Sequence, residues 1–349
     1  MAEPGEFTKR AFINGRIDLV QAESIIDLIR AKTDKAHQIA LSQLTGKAAH
    51  ELYQLETELY HILISIEAIL DFPEEGIPEI QKSAILNQVL NLEKAFSTLI
   101  AKIDEGRKIR DGIMIVIAGQ PNVGKSSLLN TFIQEERAIV TEIPGTTRDI
   151  IEAQIQLRGI PIRIIDTAGI RSTNNLIEKM GIEKTEQFLD QADLILFILD
   201  GSKNLTQEDR EIAAKIQNKL VLTIINKTDL PQKISPIELK ENGIIDYLEL
   251  SLLTKKGFEQ LEEKIVNLIG IGEISVDDRP LLSRIRHKKA LQQGLAALSS
   301  FKEGLQSGLS EDLLAVDLRA CLEAIGEITG KNVSEEVLQG IFAQFCIGK

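Results

Sequence analysis

One short segment limits the possible folds of this chain more than any other, because it predicts a strand, a loop and a helix in fixed order. Residues 119–126 read Gly-Gln-Pro-Asn-Val-Gly-Lys-Ser and match the pattern G-x-x-x-x-G-K-[ST]. The β-branched run Ile113–Ala118 precedes them, and a helical pattern begins at Ser127. Backbone N–H groups of such a loop can surround phosphate oxygens, and the helix adds the partial positive charge of its N-terminus. The segment therefore predicts an α/β nucleotide-binding domain.

The residues of this segment, which we call the phosphate loop, have distinct expected roles. Lys125 is expected to reach the β- and γ-phosphates, and Ser126 is expected to ligate Mg²⁺. The backbone of the loop is expected to point its N–H groups at the phosphate oxygens. The expected nucleotide-binding residues of the loop are Gly119, Asn122, Val123, Gly124, Lys125, Ser126 and Ser127.

A second motif, Asp-Thr-Ala-Gly over residues 166–169, closes the predicted strand Ile160–Ile165. An acidic residue at that strand end can hold Mg²⁺ through water, and the N–H of Gly169 can meet the γ-phosphate. The motif is weak alone but strong in this position after the phosphate loop. It predicts that Asp166 and Gly169 bind the metal and the nucleotide.

The loop between these two motifs contains Gly-Thr-Thr-Arg-Asp at residues 145–149. A threonine there can complete the Mg²⁺ shell when GTP is bound. Thr147 is the expected residue, and Thr146 is the alternative. The predicted Mg²⁺ residues are therefore Ser126, Thr147 and Asp166.

A fourth motif, Asn-Lys-Thr-Asp over residues 226–229, follows the predicted strand Leu220–Ile225 and indicates which base is bound. The Asp229 carboxylate can accept from N1–H and N2–H₂ of guanine together. Adenine lacks that donor pair and would leave the carboxylate unsatisfied, so GTP is predicted over ATP. Asn226 is expected to tie this loop to the phosphate loop, and Lys227 to lie along the base plane.

The last nucleotide-binding element is expected at Ser251 and Leu252, after the short predicted strand Tyr247–Leu250. A backbone N–H at this position can contact O6 of guanine. Most GTPases have alanine where Leu252 stands, but a backbone contact does not depend on the side chain.

The catalytic machinery is less clear from the residues alone. Ile170 stands where many small GTPases have a water-orienting glutamine, and its side chain can do no such chemistry. Asn122 is a candidate for binding a monovalent cation beside the phosphates, which would replace the charge of an arginine finger. Glu178 is a candidate for positioning water, although by residue chemistry alone a solvated helix carboxylate is the better explanation. Arg148 and Arg171 are further possible charge stabilisers.

The pattern of apolar residues divides the chain into three stretches. Residues from about Thr8 to Arg110 and from Leu281 onward show helical periodicity, whereas short apolar runs alternate with helices between them. The predicted fold is a P-loop α/β domain, with a mostly parallel sheet and helices on both faces, inserted into an all-α domain. The expected boundaries are 1–111, 112–272 and 273–349.

Composition excludes several classes of protein. The net charge of −12 and the pI near 5.1 argue against a general nucleic-acid coat. No apolar run approaches the roughly 20 residues of a membrane span, so no membrane partner is expected. The first residues lack the apolar core of a signal peptide, and the two cysteines suggest no disulfide framework. A cytoplasmic protein is predicted.

The motifs together resemble the MnmE (TrmE) family of tRNA modification GTPases, within the TrmE–Era class. The resemblance rests on the four motifs, on Arg-Ala-Ile-Val-Thr-Glu-Ile-Pro-Gly-Thr-Thr-Arg-Asp at 137–149, and on Glu-Lys-Met-Gly-Ile-Glu at 178–183. The opening Pro-Gly-Glu-Phe-Thr-Lys-Arg-Ala-Phe at 4–12 and the ending Phe-Cys-Ile-Gly-Lys at 345–349 are more distinctive. The resemblance covers the chain essentially from end to end.

This resemblance implies a specific activity and specific partners. Members act with a flavin-bearing subunit, MnmG, to modify the wobble uridine of certain tRNAs at carbon 5. K⁺ accelerates their GTP hydrolysis and dimerises their G domains in the GTP state. The matching residues are Asn122, Thr141, Ile143 and Thr146 for K⁺, Thr141 also for GTP, Glu178 with Asn122 and Thr147 for catalysis, and Cys346 for modification.

The family also has an N-terminal domain that binds a tetrahydrofolate, and nothing in this sequence matches it. The expectation is therefore a fragment with a complete GTPase module. Two alternative functions stay open: a ribosome-assembly switch of the same class, and a nucleotide-dependent helical scaffold with negligible turnover. The cluster Arg284, Arg286, Lys288 and Lys289 is interpreted as a solvated helix face, with tRNA contact as the alternative.

Overall fold

The computed structural model describes residues 2–71, 79–135, 151–166, 185–270 and 282–347. The chain forms two compact units, one from Met1–Arg110 with Val276–Lys349 and the other from Asp111–Ser275. We call them the helical unit and the sheet unit, because the first is built from helices and the second contains a six-stranded sheet. The predicted fold class, a P-loop α/β domain inserted into an all-α domain, is confirmed.

Helices make up most of the described chain. Within those ranges, no helix combines the length and the apolar character needed to cross a membrane. The helices are α1 Glu6–Ile13, α2 Leu19–Arg30, α3 Asp34–Leu44, α4 Lys47–Asp71, α5 Glu79–Asp111, α6 Lys125–Glu135, α7 with described residues 185–191, α8 Gln207–Ile216, α9 Pro236–Glu241, α10 Phe258–Ile269, α11 Ile285–Ser307, α12 Glu311–Thr329 and α13 Glu335–Phe342.

Local capping fixes where α2 and α3 begin in the proline-free run Leu19–Leu70. Asp18 accepts from Gln21 N at 2.8 Å and donates its own N–H to Gln21 Oε1 at 3.0 Å, which completes a capping box at the start of α2. Thr33 Oγ1 accepts from Ala36 N at 3.2 Å and starts α3. Each cap contributes about 1 kcal/mol to helix stability.

The core of the helical unit joins helices from both ends of the chain. Leu52 on α4, Phe96 on α5 and Phe301 on α11 are completely buried in one cluster with apolar residues of α12. A Cβ at Gly294 of α11 would lie 2.9 Å from Phe96 Cε1, so only glycine allows this close approach of α11 to the ring. The helical unit therefore cannot form its core from one chain segment alone.

The sheet unit has the strand order β2-β3-β1-β4-β5-β6. All neighbouring pairs are parallel except β2 with β3, which are antiparallel. The predicted mostly parallel sheet is thus confirmed, and its predicted strands agree with the observed ones within about one residue. The strands are β1 Ile113–Ala118, β2 Ile151–Leu157, β3 Ile160–Asp166, β4 Leu194–Asp200, β5 Val221–Asn226 and β6 Tyr247–Glu249.

Burial explains the composition of these strands. Every residue of β4 is buried, which fits its continuous apolar sequence Leu-Ile-Leu-Phe-Ile-Leu before the final aspartate. Loops that follow β1, β3, β4 and β5 all leave the same edge of the sheet, because these strands run in parallel. The polar residues that end the strands are consequently brought together at that edge.

A buried charge cluster joins α2 to the start of α11 in the helical unit. Glu23, 1% exposed, accepts from Arg286 Nη2 at 2.9 Å and lies 2.9 Å from His287 Nε2. Arg284 Nη2 donates to Asp27 Oδ1 at 2.7 Å and to the backbone oxygen of Glu23 at 3.2 Å. Buried charges need such partners because burial removes their hydration.

These contacts correct one interpretation of the sequence. The run that contains Arg284, Arg286 and Lys288 is not a solvated helix face, because the two arginines pair with buried carboxylates of α2 and Lys288 pairs with Asp104 at 2.7 Å. The periodicity of charged residues along one helix cannot show that the opposite charges lie on another, distant helix.

Burial changes the ionisation of this cluster. It opposes ionisation of Glu23, but His287, Arg286 and Arg284 outweigh it and hold the pKa of Glu23 well below its usual value. Burial lowers the pKa of His287 to about 4, despite the neighbouring Glu23 carboxylate. His287 is therefore neutral in the folded protein at neutral pH.

We predict that acidification destabilises the helical unit through His287. The unfolded chain binds a proton at this histidine near pH 6.5 and the folded chain only near pH 4, so stability falls as pH drops through that window. One proton gives a slope of about 1.4 kcal/mol per pH unit at most. Chemical unfolding curves between pH 7.5 and pH 4.5 measure it.

His287→Gln keeps a donor for Glu23 but cannot titrate, so it should flatten this slope. The matched control is His61→Gln, since His61 lies exposed on α4. An unchanged slope in His287→Gln would contradict the assignment.

Candidate nucleotide site

The residues predicted to bind nucleotide gather at one edge of the sheet. β1 leads into Gly119, β3 ends at Asp166 and β5 ends at Asn226. In the parallel register Ile117 faces Asp166 and Asp200 faces Asn226. Parallel strands that end side by side place their following loops next to one another, which is the usual ligand position of such sheets.

The phosphate loop adopts a backbone that glycine makes possible at two positions. Gly119 has φ +143° and Gly124 has φ +114°. A Cβ on Gly119 would lie 2.4 Å from the Ile198 oxygen, and one on Gly124 would lie 2.3 Å from Asn226 Nδ2. Both glycines are thus required by backbone angle and by close packing.

Lys125 is almost fully buried beneath this loop. Its Nζ donates to the backbone oxygens of Gly119 at 2.7 Å and of Gln120 at 2.6 Å. The ammonium is held by the loop whose N–H groups are predicted to face the phosphates. Lys125 therefore adds positive charge where the backbone also favours an anion.

Two of the predicted Mg²⁺ residues are in direct contact. Ser126 Oγ donates to Asp166 Oδ2 at 2.8 Å, and Asp166 is fully buried. Ser126 lies in the first turn of α6, and Asp166 is the last residue of β3. A hydroxyl and a carboxylate are oxygen ligands of the kind that Mg²⁺ prefers, so this pair fits the metal.

Asn226 connects three loops through one buried side chain. Its Nδ2 donates to the backbone oxygen of Val123 at 2.8 Å, and its Oδ1 accepts from Leu252 N at 3.2 Å. If the amide is removed, the Val123 oxygen and the Leu252 N–H each lose a hydrogen-bond partner. Each unsatisfied buried group lowers the stability of the fold by about 1–3 kcal/mol. Asn226 ties its own loop to the phosphate loop, as the sequence predicts, and also to the loop that contains Leu252.

Asp229 and the Ser251 loop are also held together. Ser251 Oγ donates to Asp229 Oδ1 at 2.5 Å, and Ser251 Oγ accepts from Thr254 N at 3.3 Å. Ser251 is 1% exposed, whereas Asp229 is exposed. The Asp229 carboxylate is thus oriented by Ser251 and lies at the surface, where the predicted contact with guanine would form.

Lys227 bridges the phosphate loop and β4. Its Nζ donates to the Asn122 oxygen at 3.1 Å and to Asp200 Oδ2 at 2.6 Å. Its own backbone has φ +66°, a left-handed conformation that costs about 1–2 kcal/mol for a residue with a side chain. The surrounding contacts must offset that cost.

Asp200 contacts Lys227, a predicted site residue, but is not itself predicted from the sequence. Burial opposes its ionisation, but hydrogen bonds from Lys227 and Ser202 outweigh burial and lower its pKa. The signal was present, since Asp200 is an acidic residue at the carboxyl end of a buried parallel strand. It belongs to none of the four motifs, so the motifs do not identify it.

Several predicted residues lie outside the described residues. These are the candidates for the metal shell, the K⁺ site, the γ-phosphate contact and water positioning, namely Thr141, Ile143, Thr146, Thr147, Gly169 and Glu178. Asn122 is described, is exposed and has φ +66°. The binding and catalytic roles of all these residues stay predictions.

Cys346 belongs to the helical unit. Its backbone oxygen accepts from Gly5 N at 3.4 Å, and Arg30 Nη2 donates to the Gln344 oxygen at 2.7 Å. Phe345 is buried beside Phe342, so the tail is anchored while Cys346 stays exposed. Cys321, by contrast, is buried, and burial raises its pKa to about 12.

Several known proteins are similar to this chain. The family model of the MnmE helical domain matches residues 19–346. The tRNA modification GTPase MnmE of Thermoanaerobacter sp. is 47% identical over 352 residues, covering 100% of this chain and 76% of that protein. The MnmE of Desulforamulus reducens is 46% identical over 350 residues, with the same coverage. Among solved structures, Aquifex aeolicus Era bound to GDP·AlF4⁻ matches at 27% identity and TM-score 0.37, over 53% of this chain and 66% of Era.

We predict that Asp229→Asn changes the preferred base from guanine to xanthine. The amide can still accept from N1–H, but it donates where the guanine amino group needs an acceptor and where xanthine has a carbonyl. Competition binding of GDP against xanthosine diphosphate should show a change in preference of at least about a hundredfold. Asp246→Asn, at an exposed position outside the motifs, serves as the control. Unchanged guanine preference would remove Asp229 from base recognition.

Proposed function

This chain belongs to the MnmE family of tRNA modification GTPases, and from that premise we propose that it hydrolyses GTP, with K⁺ stimulation, during modification of the tRNA wobble uridine at carbon 5. It is a GTP hydrolase by family and by fold. The cation dependence, the modified position and a flavin-containing MnmG-like partner are inferences from family membership. Tetrahydrofolate, which the family resemblance also implies, is assigned to no residue of this chain.

The observation that carries the proposal is the coupling of the phosphate loop to the base-reading loop. Asn226 bonds to the Val123 oxygen, and Lys227 bonds to the Asn122 oxygen. This connection supports a single site for phosphate and base, in which a guanine nucleotide bound at Asp229 would reach Lys125 and Ser126 with its phosphates.

Mg²⁺ would be held by Ser126 and Asp166, with Thr147 as the proposed third residue. Bound there, the ion would neutralise charge that develops on the phosphate oxygens. The described residues contribute independently of it. Lys125 supplies a positive charge within the loop, and the N-terminus of α6 orients the terminal phosphates.

K⁺ is proposed to bind at Asn122, together with Thr141, Ile143 and Thr146. Asn122 supports this because its side chain is exposed on the phosphate loop and its backbone is fixed by Lys227. A cation beside the phosphates would supply the charge that an arginine finger supplies elsewhere. Glu178 is proposed to orient the attacking water, and Thr147 to help order it, since Ile170 has no polar group for that task.

G-domain self-association in the GTP state is part of the same proposal, because a cation site shared by the loops around Asn122 would be sheltered from water by a second copy. Cys346 is proposed to act in the modification step. Its exposure at an anchored tail supports this role, because the thiol is accessible at a defined position.

We expect GTP turnover to be at least about tenfold faster in K⁺ than in Na⁺ at equal ionic strength, and Asn122→Ala to abolish the difference. The physical reason is loss of a ligand for the charge that stabilises the transition state. Steady-state phosphate release measures it. Asn218→Ala, exposed and remote from the motifs, is the matched control. Equal rates of GTP turnover in K⁺ and Na⁺ would contradict the cation-assisted mechanism.

We also expect Cys346→Ser to abolish modification of the wobble uridine, measured by mass spectrometry of nucleosides from tRNA incubated with protein, GTP and the flavoprotein. Its GTP turnover should match the unaltered chain, because the thiol lies in the helical unit. Cys321→Ala is the control for loss of a thiol. Full modification by Cys346→Ser would show that this cysteine is not needed for the modification step. GTP turnover without any modification, together with binding to ribosomal particles, would favour the alternative of a ribosome-assembly switch.

A further inference from the structure

Asp200 contacts Lys227 through one oxygen and its own turn through the other. Oδ2 accepts from Lys227 Nζ at 2.6 Å, whereas Oδ1 accepts from Ser202 N at 3.1 Å and from Ser202 Oγ at 2.6 Å. The residue is 7% exposed at the end of β4. The carboxylate is thus fixed by Ser202 in the orientation that presents Oδ2 to the ammonium of Lys227.

Gln232 contacts the same lysine from the backbone side. Its Nε2 donates to the Lys227 oxygen at 3.0 Å and to the Leu230 oxygen at 2.9 Å. These two carbonyls lie on either side of Asp229, so one amide spans the turn that carries the base-reading carboxylate. Because Lys227 has a left-handed backbone, a bond to its carbonyl restrains the strained position directly.

Gly201 makes room for this contact. A Cβ at that position would lie 2.0 Å from Gln232 Oε1. The backbone of Gly201 is itself tied to the loop, since its N donates to the Asn226 oxygen at 2.9 Å and its oxygen accepts from Lys233 N at 2.8 Å. The end of β4 and the base-reading loop therefore form one hydrogen-bonded body.

We propose that Asp200 and Gln232 are positioning residues for guanine-nucleotide binding. Asp200 holds the ammonium group of Lys227 and Gln232 holds its backbone, so that the lysine can face the base. The proposal rests on the assignment of residues 226–229 to the base. Neither residue is expected to touch the reacting phosphates. Their loss should therefore weaken GDP and GTP equally and leave the chemical step alone.

Asp200→Asn is the sharpest single change, because it keeps the shape and the Oδ1 acceptor for Ser202. It replaces the acceptor that faces Lys227, and that also lies 3.8 Å from Nζ of the exposed Lys203, with an amide donor. We expect about tenfold weaker binding of N-methylanthraniloyl-GDP, mainly through faster release, with turnover at saturating GTP within about twofold. Asp246→Asn, the same change at an exposed position outside these loops, is the matched control and should bind normally.

A double-mutant cycle tests whether Asp200 acts through Lys227. In a Lys227→Ala background, Asp200→Asn should cause no further loss of affinity. A full additional loss there would overturn the proposal, as would Asp200→Asn binding like the unaltered chain. A fall in turnover at saturating GTP without weaker binding would also overturn it.

Gln232 gives an independent variant at an exposed position where folding is not at risk. Gln232→Ala should speed release of the fluorescent GDP a few-fold. Gly201→Ala should do the same, because its Cβ would displace the glutamine and would also press on Ile225 of β5, at 2.8 Å. Normal release from both would remove Gln232 from the proposal. If the unaltered chain bound fluorescent ADP as well as GDP, the assignment of the base-reading loop would fail, and this proposal with it. Guanine-selective binding that is insensitive to these variants would overturn the present inference alone.

Discussion

The nucleotide site depends on one buried amide. Asn226 ends β5, bonds to the phosphate loop at Val123 and accepts from Leu252, so it fixes the distance between the loops expected at phosphate and base. A glycine at position 124 is needed because any side chain there would collide with this amide. The parallel sheet brings the loops to one edge, but parallel strands alone do not fix the loops within hydrogen-bonding distance of one another. The hydrogen bonds of Asn226 hold the loops of the sheet unit at that distance.

The helical unit is organised by a different constraint, the need to neutralise charge away from water. Glu23 is buried on α2 and is stable there only because Arg286 and Arg284 arrive from the other end of the chain. Hydrophobic packing brings α4, α5, α11 and α12 together without strong directional preference. The ion pairs add direction, because each is satisfied in only one arrangement of α2 against the start of α11. Hydrophobic packing thus holds the helices of this unit together, and the ion pairs fix the orientation of α2 against the start of α11.

The fold class and the strands of the sheet could be predicted from the sequence, whereas the strand order could not, and the site could be predicted only in part. The strand end at Ala118 follows from an apolar run bounded by glycine, and four motifs place Lys125, Ser126, Asn226 and Asp229 by spacing. The residues that contact these side chains could not be predicted from motifs and spacing. Asp200 and Gln232 contact Lys227 across a strand register and a turn, and Glu23 meets arginines far along the chain. Such pairs have no sequence period, so local patterns cannot identify them.

The division of the helical unit between the two ends of the chain has a consequence for biosynthesis. α2 and α5 leave the ribosome early, but α11 and α12, which complete their core, follow only after the whole sheet unit has been translated. At roughly 5–20 residues per second, nascent α5 waits many seconds with Phe96 uncovered, and Glu23 waits without its arginines. The sheet unit has all its strands in one continuous segment and can fold during that interval. The order of synthesis therefore favours a folded GTP-binding unit before the helices around its insertion point close, and the exposed early helices are the stage at which a nascent-chain chaperone has most to protect.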